Sequence, residues 1–428
     1  MTRTSTTVLI RGAGFQNKGA EAIACTVRDE LKKRLGSCKF CIALLGHEKE
    51  LALSLGFDEV MTIREKAGKW QKCEQLVRSL FATPSLALDV IHNARAIADL
   101  SNMPEGLTAV IDISGYAYGD PWGDRCARFS YACTEYCRQR NVRYVFLPQA
   151  WGPFSNKSLA MYCRKMCPGA WKYARDPQSA RYLADLLGED PASIPCVPDV
   201  AFRFAGDALD TSHEVFAFLE RSANIPIVAI SPNMRVYERT RGKWADNDYV
   251  KVMAEIARHC LARGTRILLL PHEISISERS TYDDRFLCLL LDRELKEFQS
   301  KVFSAVTPLS ARTLKALVGR CSLLVGSRYH CIVAALSHRV PSVVIGWSHK
   351  YESLMRSVQL DDFILDLANL DGEAAVKKVG AAWDQRAQLK IVLEKRVGAI
   401  EKEVDALFDK VAGIILSDKK AINDERQR

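Results

Sequence analysis

The chain has 428 residues, enough for two domains with separate cores. Apolar residues make up 48% and charged residues 26%, ordinary proportions for a globular protein. The formal charge of +9 comes from 60 Lys and Arg against 51 Asp and Glu, spread thinly along the chain; this excludes the clustered basic stripe of a nucleic-acid binder and leaves a mild attraction to anionic ligands or membrane surfaces.

The opening segment MTRTSTTVLIRGAG is too poor in apolar residues for a signal peptide, and no apolar stretch reaches the roughly 18 residues of a membrane span. The expected location is the cytoplasm, with peripheral contact at the inner face of the membrane permitted. Fourteen cysteines in such a chain read as reduced thiols. Cys38 and Cys41 form a CxxC, and Cys133/Cys137 and Cys163/Cys167 recur at helical spacing, but no second CxxC follows at ribbon-like distance, so no metal site is expected.

Taken in chain order, short β-branched runs alternate with amphipathic helical stretches. The runs are TTVLIR, KFCIALL, AVIDIS and VRYVFLP in the first half and PIVAIS, RILLLP, SLLVG and PSVVIG in the second; DYVKVMAEIARHCLARG is one of the helical stretches. This alternation predicts an α/β fold of two Rossmann-like domains whose parallel sheets face a cleft. The pattern restarts at IPIVAISPN, which places an N-terminal domain over residues 1–210 and a C-terminal domain over 220–415. Residues 64–106 read as a helical insertion in the first, and 416–428 as a loose tail.

The first strand leads into RGAGFQNKGAE, residues 11–21. Gly12 and Gly14 begin a dinucleotide fingerprint, but Asn17 stands where its third glycine belongs. The Gly14 to Gly19 gap suits a Walker loop, yet Ala20 and Glu21 replace its lysine and hydroxyl. Two readings are left, an anion held by backbone N–H groups at a helix start or a bend of the chain alone.

A second segment, CSLLVGSRYHCIVAALSHRVPSVVIGWSHK at 321–350, reads as strand, helix and strand, with Ser327 as N-cap. Arg328 and His330 then stand at the strand's carboxyl edge, and the following strand brings Ser348, His349 and Lys350 to the same edge. An arginine fork and a lysine suit a carboxylate or phosphate, and an imidazole moves protons near neutral pH. The structural alternative makes Arg328 a carbonyl cap and His330 an ordinary first-turn residue. In the first half, Asp176 before Pro177 has the pattern of an N-cap that would aim Arg175. The loop SGYAYGDPWG offers Asp112, Asp120 and Asp124 to sugar hydroxyls, and Tyr116, Tyr118 and Trp122 as flat faces, or is merely a turn.

GxRxH followed by an apolar helix, then VPxVxIG and Lys350, resembles the C-terminal signature of the polysaccharide pyruvyl transferase family. Further matches follow in the family's order: Asn17, Gly19, Glu21 and Ala22, then Asp112–Gly115, PQAWGPF at 148–154, ARDPQSARYL at 174–183, PDVAF at 198–202 and LLLPHE at 268–273. The chain departs from the family pattern at Tyr329, where leucine is usual, and at Ala150-Trp151 in place of a serine–isoleucine pair. The second departure is expected to face the cleft and so to bear on the acceptor.

The resemblance implies a glycosyltransferase-B-like (GT-B-like) arrangement and transfer of the pyruvyl group of phosphoenolpyruvate onto two sugar hydroxyls as a cyclic ketal, in surface or exopolysaccharide biosynthesis. Phosphoenolpyruvate is then the donor substrate, no separate cofactor is needed, and the acceptor is a saccharide or lipid-linked saccharide. Under this reading His330 is the catalytic acid–base, Arg328, Arg175, Lys350 and His272 bind the donor, and Asn17, Glu21, Asp112, Tyr116, Asp120 and Gln149 line the acceptor side. The N-terminal domain is the acceptor side and the C-terminal domain the donor side. Two other classes fit the same architecture: a GT-B glycosyltransferase using a nucleotide sugar, and a non-catalytic saccharide-binding relative. No sequence feature assigns an oligomeric state.

Overall fold

The structure, a computed structural model, describes residues 6–63, 100, 102–206, 214–275 and 282–417. The expected insertion at 64–106 lies mostly outside these residues, as does the expected tail from 418 onward. Contacts divide the chain into two compact units, Met1–Gly14 with Val27–Pro198 and Asp405–Arg428, and Phe15–Thr26 with Asp199–Val404. No described helix is long and apolar enough to cross a membrane.

The first unit carries a parallel sheet of β1 (Thr6–Arg11), β2 (Cys38–Leu45), β3 (Glu59–Ile63), β4 (Leu107–Asp112), β5 (Arg143–Gln149) and β6 (Trp171–Ala174), in the order β3-β2-β1-β4-β5-β6. The second unit has β7 (Ile227–Ser231), β8 (Arg266–Leu269), β9 (Val302–Ser304), β10 (Leu323–Gly326), β11 (Ser342–Gly346) and β12 (Ile364–Asp366), in the order β12-β11-β10-β7-β8-β9. Both are the doubly wound Rossmann order, so in each sheet the chain reverses its direction of winding between two central strands, β1 and β4 or β7 and β10. The loops leaving those strands diverge there and open a crevice at the carboxyl edge. Central strands are buried on both faces, which explains their unbroken apolar runs: Val8, Leu9 and Ile10 are at most 1% exposed, as are Leu323, Leu324 and Val325.

The sequence reading kept residues 1–210 together and ended the C-terminal domain near 415. In the structure Phe15–Thr26 joins the second unit and the segment from Asp405 joins the first. The first transfer has a local cause. Lys18 N donates to His272 O at 3.2 Å and Ile274 N to Gln16 O at 3.0 Å, a short antiparallel bridge that pairs Asn17 with Glu273.

Candidate active site

At the switch point of the second sheet, Ser327 is fixed from several directions. Its N–H donates to Ser231 O at 3.1 Å, and its carbonyl accepts from Asn233 Nδ2 at 2.7 Å and from the Tyr351 hydroxyl at 2.8 Å. Its hydroxyl pairs with Tyr249 at 2.8 Å and therefore does not cap the next helix, contrary to the sequence expectation. That helix is Tyr329–Ser337, with Arg328 at its N-cap position and no side-chain cap. The two residues of interest thus leave a rigid corner in defined directions.

Arg328 points into that corner. One terminal nitrogen pairs with Glu273 Oε2, the other with Asp284 Oδ1 at 2.5 Å, and the residue is 7% exposed. Burial works to lower its pKa, but Asp284 and Glu273 outweigh burial and raise it, so the arginine stays charged. Asp284, fully buried, also accepts from Met234 N at 3.0 Å and from Glu273 N at 2.8 Å. The expected anion-receiving fork is thus occupied by the protein's own carboxylates. The reason is desolvation, since a guanidinium taken out of water costs several kcal/mol unless it is paired. Arg328 braces the 272–273 loop, the 284 turn and the helix, with each terminal nitrogen already on a carboxylate.

His330 differs. Its side chain is 18% exposed, and Nε2 lies 3.5 Å from Oδ2 of Asp199, a buried residue. Gly19 lies against the ring so closely that a Cβ there would overlap Nδ1 and Cγ. His330, His272, Lys18 and Gly19 line one small cavity, whose other walls are largely apolar and include Ala201, Phe204 and Leu270. His272 is buried, and burial, followed by the electrostatic influence of His330, Arg328 and Lys18, lowers its pKa well below the usual imidazole range, which keeps it neutral. Lys18 Nζ is tied to Glu21 at 2.8 Å. Lys350, in the first turn of the helix His349–Ser357, is half-buried and lies 4.9 Å from the centre of the Trp347 ring and 5.6 Å from that of Tyr329. It stands at the carboxyl edge, as the sequence suggests.

The opening loop is settled by its hydrogen bonds. Asn17 caps the helix Lys18–Leu35, its Oδ1 accepting from Gly19 N at 2.9 Å and its carbonyl from Ala20 N at 3.0 Å. Glu21 is 1% exposed and accepts from Ala311 N at 2.9 Å, at the start of the helix Ala311–Gly319. Both residues were expected to meet a sugar. Their oxygens instead satisfy orphan helix N–H groups within the second unit.

Asp112, Tyr116, Asp120, Gln149 and Arg175 belong to the first unit. Asp112 is fully buried and accepts from Arg11 and from the hydroxyls of Tyr118 and Tyr144, each at 2.7 Å. Burial works against the Arg11 charge, yet Tyr144 and Asp112 hold its pKa above the ordinary value. This closed network leaves Asp112 nothing to offer a sugar, contrary to expectation. Asp120 accepts from Ser155 N and Asn156 N at 2.9 Å each; burial opposes its ionisation, but these N–H groups lower its pKa overall. It too is committed to the loop. Gln149 is fully buried and donates to Asp112 O at 3.0 Å. Arg175 is 7% exposed, with its N–H on Gln149 O, and Asp176 caps the helix Pro177–Leu187 as its sequence pattern indicates. Tyr118 and Trp151, both 0% exposed, stack 5.1 Å apart in the core, and Trp151 Nε1 donates to Tyr173 O. The Ala150-Trp151 departure therefore fills the interior and does not face a ligand. Of the loop aromatics, Tyr116 is half-buried and packs edge-on to Trp122, which is 37% exposed.

The sequence profile of the family described as polysaccharide pyruvyl transferase matches residues 17–349. The chain belongs to the polysaccharide pyruvyl transferase family. The matched span runs from the helix-capping Asn17 to His349, beside Lys350. This family member is 20% identical over 220 residues to the amylovoran biosynthesis protein AmsJ of Erwinia amylovora, a stretch of 51% of each chain, so the match spans about half the length of that curated relative. In fold it is similar to a Listeria monocytogenes protein assigned as a UDP-N-acetylglucosamine 2-epimerase, with TM-score 0.62, 10% identity and coverage of 97% of this chain and 98% of that one. It is also similar to the UDP-GlcNAc 2-epimerase of Methanocaldococcus jannaschii, with TM-score 0.55, 12% identity and coverage of 89% and 93%. Identities this low carry the fold alone, two Rossmann-like halves of the GT-B type.

Three residues of this candidate site escaped the sequence reading. Asp199 lay inside the quoted PDVAF motif, which could have suggested it. Lys18 stood within the quoted loop. Asp284, in TYDDRF, has no signal in the chain, because its partners come from positions 234, 273 and 328.

Proposed function

We propose that the protein transfers the pyruvyl group of phosphoenolpyruvate onto two hydroxyls of a saccharide as a cyclic ketal, in the building of a surface or exopolysaccharide. The observation that carries this reading is a partly exposed imidazole, His330, 3.5 Å from a buried carboxylate and sharing one cavity with a neutral second imidazole at the switch point of the second sheet. In the first step a sugar oxygen bonds C2 of the enolpyruvyl group, and its proton passes by way of His330 to C3, turning the methylene into a methyl. In the second, the other hydroxyl oxygen displaces phosphate from C2, and its proton leaves with the phosphate. An imidazole can both take up and give a proton, as these transfers require. His272, neutral, can hydrogen-bond the donor without adding charge, and Lys350 can pair with its carboxylate or phosphate. Arg328 acts by bracing the loop that carries His272. No cofactor beyond the donor itself enters these steps.

The test is incubation with phosphoenolpyruvate and candidate saccharides, following free phosphate and the mass of the sugar. The expected result is phosphate release matched by a sugar carrying one pyruvyl group and resistant to periodate at the bridged hydroxyls. Thermal stabilisation by nucleotide sugars with none by phosphoenolpyruvate would instead favour a glycosyltransferase.

A further inference from the structure

An imidazole that carries protons has two nitrogens, and its surroundings settle which one works. At His330 the two are treated differently. Nε2 is buried and makes no hydrogen bond in this structure, and Asp199 Oδ2 lies 3.5 Å away, at ion-pair distance. Nδ1 lies beside Gly19, where any Cβ would fill the space next to that atom. The side chain of Asp199 is 3% exposed, and its Oδ1 accepts from Ala201 N at 2.9 Å, capping the short turn Val200–Arg203. That bond fixes the carboxylate through its own backbone, so Oδ2 is aimed before any ligand arrives. The other titratable or charged groups of this cavity are Lys18, His272, Cys331 and Lys315, whose Nζ donates to Phe204 O at 2.5 Å, and the phenol of Tyr329 lies edge-on to the ring at 5.3 Å. Lys18 is tied to Glu21. Among the described residues, Asp199 is the carboxylate that reaches the imidazole.

We propose that Asp199 is the positioning residue of this site: its carboxylate, at ion-pair distance, keeps the proton of neutral His330 on Nε2 and leaves the Nδ1 lone pair to receive the acceptor's proton. Nε2 retains its proton throughout, and Asp199 steadies the imidazolium formed in between. This rests on the reading of His330 as the proton carrier. A carboxylate behind a histidine fixes tautomer and ring orientation without itself taking the proton.

The experiment compares the full-length wild type with Asp199→Asn, which keeps an oxygen for the Ala201 N–H, and with Asp199→Ala, which does not. Nitrogen NMR of 15N-histidine-labelled protein, without ligand and at alkaline pH, reports the tautomer; His330→Gln assigns the signal. The expected result is an Nε2–H tautomer in the wild type that shifts toward Nδ1–H in Asp199→Asn. The kcat for pyruvyl transfer should fall about tenfold or more, while KM for phosphoenolpyruvate stays within about twofold. Asp199→Ala should lose the tautomer preference to the same extent and also lose stability. The same tautomer in wild type and Asp199→Asn, or an unchanged kcat, would overturn the proposal. Should the wild type transfer no pyruvyl group, the functional reading falls, and the tautomer comparison alone decides the role of Asp199.

Discussion

His272 shows how one side chain can be legible in sequence and still be misjudged in its chemistry. Its place at the end of LLLPHE marked it as a donor-side residue, but only the packed structure reveals that burial, reinforced by Arg328 and Lys18, holds it neutral. The consequence for stability has a definite sign. A histidine whose pKa is lowered on folding binds its proton more readily in the unfolded chain, so the unfolded state gains as pH falls below the ordinary imidazole value of 6.5. Stability from this residue is complete above that value and declines below it. Urea midpoints measured at about pH 7.5 and about pH 5.5 should therefore differ more for the wild type than for His272→Gln. Equal differences would mean that His272 is not desolvated. Arg328 teaches the converse lesson. Its position at the sheet edge was readable, but its two partners at Glu273 and Asp284 were not, because neither is near it in sequence.

At the scale of elements, the eight β-branched runs in the sequence are the eight interior strands, β1, β2, β4, β5, β7, β8, β10 and β11. The four strands without such runs are all edges: β3, β6, β9 and β12. An edge strand is covered on one side only, so β12, ILD, and β6, WKYA, need no continuous apolar run and leave a weak imprint. The acceptor side was over-read for a related reason. Asp112, Asp120, Asn17 and Glu21 lie in loops, at a strand end or in the first turn of a helix, where a carboxylate or amide serves a ligand or caps backbone N–H groups with equal ease. Their partners, Arg11, Ser155 N, Gly19 N and Ala311 N, show which use prevailed. The corner that joins β7, β10 and the 272–273 loop depends most on Asp284. Asp284→Ala leaves Arg328 half-paired in the interior and strands the Met234 and Glu273 N–H groups, so the expected loss is about 3–5 kcal/mol in chemical denaturation. A loss under about 1 kcal/mol would show that the brace is dispensable.

For the whole molecule, two sheets of the same strand order recur in one chain, yet they present opposite chemistry at their switch points. The first closes its crevice floor with the Arg11–Asp112–Tyr118–Tyr144 network, which is fully satisfied and inert. The second keeps His330 partly exposed beside His272 and Lys18. Family membership and fold were both legible from motif order and strand alternation, whereas the division of labour within the site needed contacts between segments more than a hundred residues apart. The most direct measurement is phosphate release from phosphoenolpyruvate, in the presence of a competent saccharide, by the wild type and by a folded His330→Gln variant. A fall of about 10²–10⁴-fold in the variant, with its thermal unfolding unchanged, is the predicted result. Release at close to the wild-type rate would contradict a proton-carrying role for His330 and with it the mechanism proposed for this family member.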